Sequence, residues 1–156
     1  MKFKRFFMRY FFGFWPPFFG AGIRIKKISA DFRELEVELK LRFWNKNYVN
    51  TQFGGSLYSM TDPFFMLILV ENLGRDYVVW DKAATIRFKK PGKGTVRAHF
   101  KLTHEQIEQV RAQADALDKY EPTFTVNILN KAGEVVAEVE KLLYVKRKDK
   151  IRSRQK

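Results

Sequence analysis

The sequence predicts an α+β fold in which one long central helix is wrapped by a curved antiparallel sheet. Two observations carry that expectation. Leu35, Val37, Leu39, Leu41 and Phe43 alternate strictly with Glu36, Glu38, Lys40 and Arg42, the period of a strand with one face in the core. Residues 54–73 are almost wholly apolar and stop at Gly74, so this helix must be enclosed on all sides.

The remaining elements follow in chain order. Phe3, Phe6, Phe7, Tyr10, Phe11 and Phe14 recur at helical spacing, with Lys2, Arg5 and Arg9 between them, up to the Pro16-Pro17 stop. Two readings stand for this amphipathic helix: packing on the body or a partner subunit, or lying in a membrane interface. Charges interrupt its apolar residues, which argues against a signal peptide or a span. Ile23, Ile25, Ile28 and Ala30 form a strand that pairs with 35–43 through Asp31-Phe32-Arg33. After the central helix come a strand region from Tyr77 to Phe88 and a strand from Thr95 to Leu102. Thr103-His104-Glu105-Gln106 has the capping-box form and starts a helix over about 104–118. Phe124, Val126 and Ile128, a turn at 130–133, then Val135, Ala137, Val139 and Leu143 close the chain as a hairpin. The expected organisation is an N-terminal helix and linker over 1–21, one domain over 22–146 and a basic tail over 147–156.

Composition narrows the chemistry. The chain has 156 residues, 46% of them hydrophobic, and no cysteine, which excludes a disulfide framework and a thiolate nucleophile and fits a cytoplasmic setting. His99 and His104 are the only histidines and lie far in sequence from the central helix, so no metal centre is expected. The net charge of +13 is concentrated at the ends, in Lys2, Lys4, Arg5 and Arg9 and in seven cations of 146–156 set against Asp149. Such blocks are either solvated tails or footprints for phosphate or anionic lipid. Because the body between is nearly balanced, nucleic acid is a disfavoured partner.

The candidate site surrounds the start of the central helix. Asn47 and Asn50 lie in the loop that feeds it. Gly54 and Gly55 open it, where the first amides lack an intrahelical acceptor and a ligand can approach closely. Gly54 N–H is a candidate oxyanion donor; a Gly pair before a helix also serves as a plain tight turn. Asp62 is an acid within apolar sequence, either a catalytic carboxylate or the N-cap of a helix beginning at Pro63. In a continuous helix Gly54 and Asp62 are ~12 Å apart along the axis, so cooperation requires Asp62 from a second subunit. Arg87, Lys89, Lys90 and Lys93 flank Pro91-Gly92, either meeting substrate phosphates or forming a solvated hairpin end. Tyr58, Phe64, Phe65 and Met66 line an acyl tunnel or form plain core.

The pattern Asn47…Phe53-Gly54-Gly55…Asp62 resembles the Asn…His-Gly-Gly…Asp signature of hotdog-fold acyl-CoA thioesterases of the phenylacetate-pathway type. The runs Tyr48-Val49-Asn50, Ser56-Leu57-Tyr58, Met60-Thr61-Asp62-Pro63-Phe64 and Phe88-Lys89-Lys90-Pro91-Gly92 look like an uncharacterised bacterial branch of that superfamily. The resemblance implies a homodimer, or a dimer of dimers, hydrolysing acyl-CoA or acyl-carrier-protein thioesters, with CoA only as part of the substrate. Gly54 N–H would polarise the carbonyl, Asp62 of a second copy would act as base or nucleophile, and Asn47 would orient water or the acyl group. Gly55, Asn50, Gln52, Phe53 and Tyr58 would border the substrate. The signature histidine is Phe53 here, with only the Gln52 amide beside it. That departure keeps a non-catalytic acyl-thioester or lipid-binding reading in play. A membrane-surface or nucleic-acid-associated protein using the basic ends is a third class.

Overall fold

Alternation of apolar and charged residues fixes the strands, and their inward rows build one concave face. The computed structural model of the chain describes residues 2–152, with side chains described over 6–150. Phe3, Lys2, Lys4 and Arg5 as side chains, and the cations of 153–156, lie outside what is described. Helices α1 (Lys2–Phe14) and α2 (Pro16–Ala21) precede strands β1 (Ile23–Ile28) and β2 (Glu34–Leu39). Helices α3 (Gly54–Ser59) and α4 (Phe64–Leu73) follow, then β3 (Tyr77–Phe88), β4 (Val96–Lys101), α5 (His104–Ala116), β5 (Thr123–Leu129), β6 (Val135–Arg147) and α6 (Lys148–Arg152). The six strands form one antiparallel sheet in the order β1-β2-β4-β5-β6-β3. Its core face carries Ile23 and Ile25, Leu35, Val37 and Leu39, Val96, Ala98 and Phe100, and Val139, Leu143 and Val145, all buried.

The central helix is not continuous. Proline at 63 has no N–H for the bond back to residue 59, and its ring crowds the preceding turn. The chain tightens there instead: Thr61 N donates to Tyr58 O at 2.9 Å and Asp62 N to Ser59 O at 3.3 Å. Helix α4 then starts with Leu67 N bonded to Pro63 O. The enclosure is also incomplete, because Val70 is exposed and Met66 and Leu67 are only half-buried.

Two strand ends differ from the periodicity. Strand β2 stops at Leu39, and Phe43 stands in solvent. Asn45 draws the chain away by accepting from Arg42 N and donating to Ala21 O and Lys40 O. Gly22, with φ 82°, makes room for this: a Cβ there would lie 2.6 Å from Asn45 Nδ2. Strand β1 ends at Ile28, and residues 29–33 turn around Asp31, which accepts from Ser29 Oγ, Arg33 N and Arg33 Nε. These donors hold the Asp31 carboxyl well below its ordinary range, with the Ser29 hydroxyl contributing most.

The region 77–88 is one strand with an irregularity between Asp81 and Ala83. The capping box on α5 forms as the sequence implies, with Thr103 and Gln106 bonding reciprocally. Lys150, on α6, donates to Ala114 O, Asp115 O and Leu117 O at the end of α5, a cation placed where helix carbonyls are unpaired.

Phe64 is fully buried at the first turn of α4, its ring 5.0 Å from that of Phe100 and 6.0 Å from that of Phe18. It ties the central helix to both β4 and the N-terminal helices. Phe64→Ala is expected to lower unfolding free energy by ~3–5 kcal/mol. A urea-denaturation difference below ~1 kcal/mol would remove Phe64 from that role.

Candidate active site

The loop 47–52 that delivers the chain to α3 is built by the Asn47 side chain. Its Oδ1 accepts from Val49 N and Thr51 N, and its Nδ2 donates to Thr51 Oγ1 and Gln52 O. With both ends of the amide engaged in its own loop, Asn47 holds backbone. Asn50 occupies the left-handed region at φ 62°, which Asn tolerates, and its Oδ1 accepts from Lys46 Nζ. Gln52 is buried and ties the loop to the sheet rim, its N donating to Gly92 O and its Nε2 to Gly94 O and Leu39 O. Its Oε1 is buried with no partner.

Phe53 is the residue before α3, and its ring folds over Gly55, where a Cβ would lie 2.5 Å from Phe53 Cε1. Glycine at 55 therefore leaves room for the aromatic ring that stands in the histidine position. Among the described residues no acceptor takes the N–H of Gly54. Gly54 borders a cleft of about 590 Å³ together with Asn47, Gln52, Leu57, Phe88, Lys89 and Lys93. Lys90, also on this cleft, is paired with Glu134 at 2.5 Å, and Arg87 with Glu138 at 3.4 Å. No ion pair within the described residues engages Lys89 or Lys93, so these two are the cations available to a ligand.

Asp62 does not line this cleft, and it does not cap α4: Pro63 occupies the cap position with no side-chain bond to the helix. Instead Asp62 Oδ1 accepts from Lys141 Nζ at 3.1 Å. Lys141 Nζ also lies 3.4 Å from Asp81 Oδ2 and 5.2 Å from the centre of the Tyr58 ring. The lysine has no exposed surface, whereas about half of the Asp62 side chain is exposed, at 51%. Asp62 Oδ2 has no hydrogen-bond donor within the described residues.

Burial opposes the charge on Lys141, but Asp81 and then Asp62 outweigh it and its pKa is raised. Burial pushes the Asp81 carboxyl up against the opposing pull of Lys141. Asp81 Oδ1 is a buried acceptor with no partner.

Lys141 and Asp81 were missed in the sequence. The signal was present for Lys141, which falls in the inward row of Val139, Leu143 and Val145 on β6, where an isolated lysine demands a counter-charge. The structure thus divides the expected site residues. Gly54, Asn47, Gln52, Lys89, Lys90 and Lys93 share the cleft, Asp62 and Tyr58 share Lys141, and Arg87, Asn50, Phe53 and Gly55 line neither.

The ion cluster has a pH signature. A carboxyl whose folded pKa is raised binds its proton more tightly folded than unfolded. Its contribution to stability is therefore greatest below the unfolded value and falls as pH rises through the folded one. Lys141→Met keeps the buried stem but removes the cation, which lifts Asp81 further. Its cost is expected to grow with pH above 3.8, reaching up to about 3 kcal/mol at neutral pH, because half-exposed Asp62 is only partly desolvated. Thermal melts across pH 4–8 check this; a melting difference constant with pH would dismiss the cluster.

Comparison with known proteins gives the family and the fold. A family model described as Domain of unknown function (DUF4442) matches residues 3–145. No curated protein matches the chain. Among solved structures, Pseudomonas aeruginosa PA5026, described as a probable thioesterase of unknown function, superposes with a TM-score of 0.80 at 20% identity, over 89% of this chain and 93% of that one. The PaaI protein of the E. coli phenylacetic acid degradation operon gives 0.62 at 18%, over 93% and 91%. Thioesterase HI1161 of Haemophilus influenzae gives 0.61 at 12%, over 84% and 82%. At these identities the likeness is one of fold. The chain belongs to the DUF4442 family and carries the hotdog fold of these structures.

Proposed function

We propose that the protein hydrolyses acyl thioesters at a site pooled from two copies of the chain. The observation that carries this reading is the separation of an unengaged Gly54 N–H from a half-exposed Asp62 within one protomer, joined to an unpaired sheet edge between them. Strand β3 is the last in the sheet, twelve residues long, with no buried residue in the protomer. Such an edge is a template for another strand. Asp62 is linked through Lys141 to Asp81 on β3, while Gly54 lies against Phe88 at the far end of the same strand, a Cβ there falling 3.1 Å from Phe88 Cζ. Antiparallel pairing of two β3 strands about a two-fold axis between Ala84 and Thr85 sets residue 81 of one copy opposite residue 88 of the other. That register carries the Asp62 cluster of one copy to the Gly54 cleft of its mate.

In this arrangement Gly54 N–H polarises the thioester carbonyl, and Asp62 Oδ2 takes a proton from water as the water oxygen bonds to the carbonyl carbon. The tetrahedral intermediate expels the thiolate, which recovers that proton from Asp62, leaving a carboxylic acid and a thiol. Lys141 fixes Oδ1 so that Oδ2 faces the water. Lys89 and Lys93 supply charge for the phosphates of a CoA or phosphopantetheine carrier. The rival reading, a non-catalytic acyl-thioester binder, draws on Phe53 covering Gly55 where related signatures place an imidazole.

Turnover of an acyl-CoA panel with a thiol reporter separates the two readings. Asp62→Asn is expected to lower kcat ~10²–10⁴-fold. Gly54→Pro removes the N–H and should lower it ~10²–10³-fold relative to Gly54→Ala, which adds the same Cβ against Phe88 but keeps the donor. Mixing the two inactive variants and letting subunits exchange should restore roughly a quarter of wild-type activity, since half the random dimers carry one intact site of two. No turnover by the native protein rejects hydrolysis; active single variants reject these roles, and inactive mixtures reject sharing.

A further inference from the structure

Helix α1 has more aromatic surface than its packing uses. Phe12 faces the body, its ring 5.5 Å from Phe18 and 6.4 Å from Phe64. Phe6, Phe7, Tyr10, Phe11 and Phe14 are each at least half exposed, as is Phe19 on α2. The rings are preordered against one another, Phe6 on Tyr10 at 4.4 Å and Phe7 on Phe11 at 5.7 Å. A contiguous apolar surface of this kind marks an interaction site.

The charge beside it says what kind. Between α1, α2 and β1 lies a groove of about 260 Å³ lined by Arg9, Arg24 and Lys26 together with Tyr10, Phe14 and Phe19, and by no carboxylate. Lys27 adds a fourth exposed cation on β1. No ion pair within the described residues engages any of the four. On β2, Glu38 stands opposite Arg24 and Glu36 opposite Lys27, but the cation they reach is Arg97, at 3.3 and 4.0 Å.

We propose that the face formed by α1, α2 and the outer side of β1 docks on an anionic bilayer. Arg9, Arg24 and Lys26 meet lipid phosphates, and the exposed rings enter the headgroup–acyl boundary. Cations at the rim of an aromatic helix face are the arrangement that interfacial helices use. No helix among the described residues is long and apolar enough to span a membrane, so the contact is with the surface. Symmetric pairing of a second copy on this face would set its cations against their own equivalents. The other sheet edge, β3, is the one that the proposed dimer uses. A duplex backbone would meet the cations but leave the phenylalanine rings in water, whereas bases of a single strand could stack on them, an outcome that competition with a short single-stranded oligonucleotide reads.

The proposal does not rest on the catalytic reading: Asp62→Asn protein should dock as the native chain does. In flotation assays the native protein is expected to rise with phosphatidylglycerol-containing vesicles at low salt, and much less with pure phosphatidylcholine or at high salt. Arg24→Glu with Lys26→Glu should lower partitioning at least about tenfold, since each lost surface cation is worth roughly fivefold. Phe14→Ser with Phe19→Ser should lower it comparably, with circular dichroism confirming the fold. In protein carrying Trp44→Phe and Trp80→Phe, Trp15 emission should shift to the blue on vesicle addition and be quenched by brominated lipid. The proposal is overturned by no flotation, by equal flotation on neutral vesicles, by variants that float as the native chain does, by unchanged Trp15 emission, or by a short oligonucleotide displacing the vesicles.

Discussion

A lysine ammonium buried on the concave face of a sheet must find negative charge, and Lys141 finds it in Asp62 and Asp81. The constraint reaches through the fold. Asp62 reaches Lys141 from the break that Pro63 makes in the central helix, one turn beyond Tyr58, whose ring also faces the ammonium. The break, the buried cation and the carboxylate on edge strand β3 are one solution to a single electrostatic problem. The same pairing leaves Asp62 Oδ2 without a donor and beside solvent, the condition a carboxylate needs to accept a proton from water.

The two ends of α3 are consequently held by different means. At the start, Asn47 and Gln52 use amides to bind backbone: Asn47 closes its own loop, and Gln52 pins that loop to Gly92 and Gly94. At the far end an ion cluster holds Asp62. Hydrogen bonds to backbone fix the position of Gly54 without adding charge near its N–H. The charged cluster is kept apart, where its field falls on the carboxylate. A protomer thus presents an unengaged N–H on one part of its surface and an acid on another.

Much of this was legible in the chain. Period-two runs such as Leu35–Leu39 gave the strands, the Thr103…Gln106 box gave α5, and Asn47, Gly54 and Asp62 stood out by spacing. What sequence could not show was which inward positions meet across the sheet. Lys141 and Asp62 are 79 residues apart, and only the assembled sheet, with β6 between β5 and β3, brings them together. Phe43 misled for a related reason: its alternation continues the β2 pattern, but Asn45 binds Lys40 and Ala21 carbonyls and ends the strand first. Period reports local propensity, and a long-range hydrogen bond decides where the element stops.

The net charge of +13 acquires meaning from where it is left uncompensated. Around most of the sheet, cation and acid neutralise one another across strands: Glu34 meets Lys101, Glu38 meets Arg97, Glu121 meets Lys82 and Lys119, Glu134 meets Lys90, and Glu138 meets Arg87. Exposed pairs of this kind add little stability, but they cancel the field above those strands. Among the described residues, cations without an ion pair include Lys89 and Lys93 at the cleft beside Gly54, and Arg9, Arg24, Lys26 and Lys27 beside the aromatic helix. The two proposals put the same chemistry, phosphate on an apolar chain, at both places: a carrier thioester at the first and a lipid headgroup at the second.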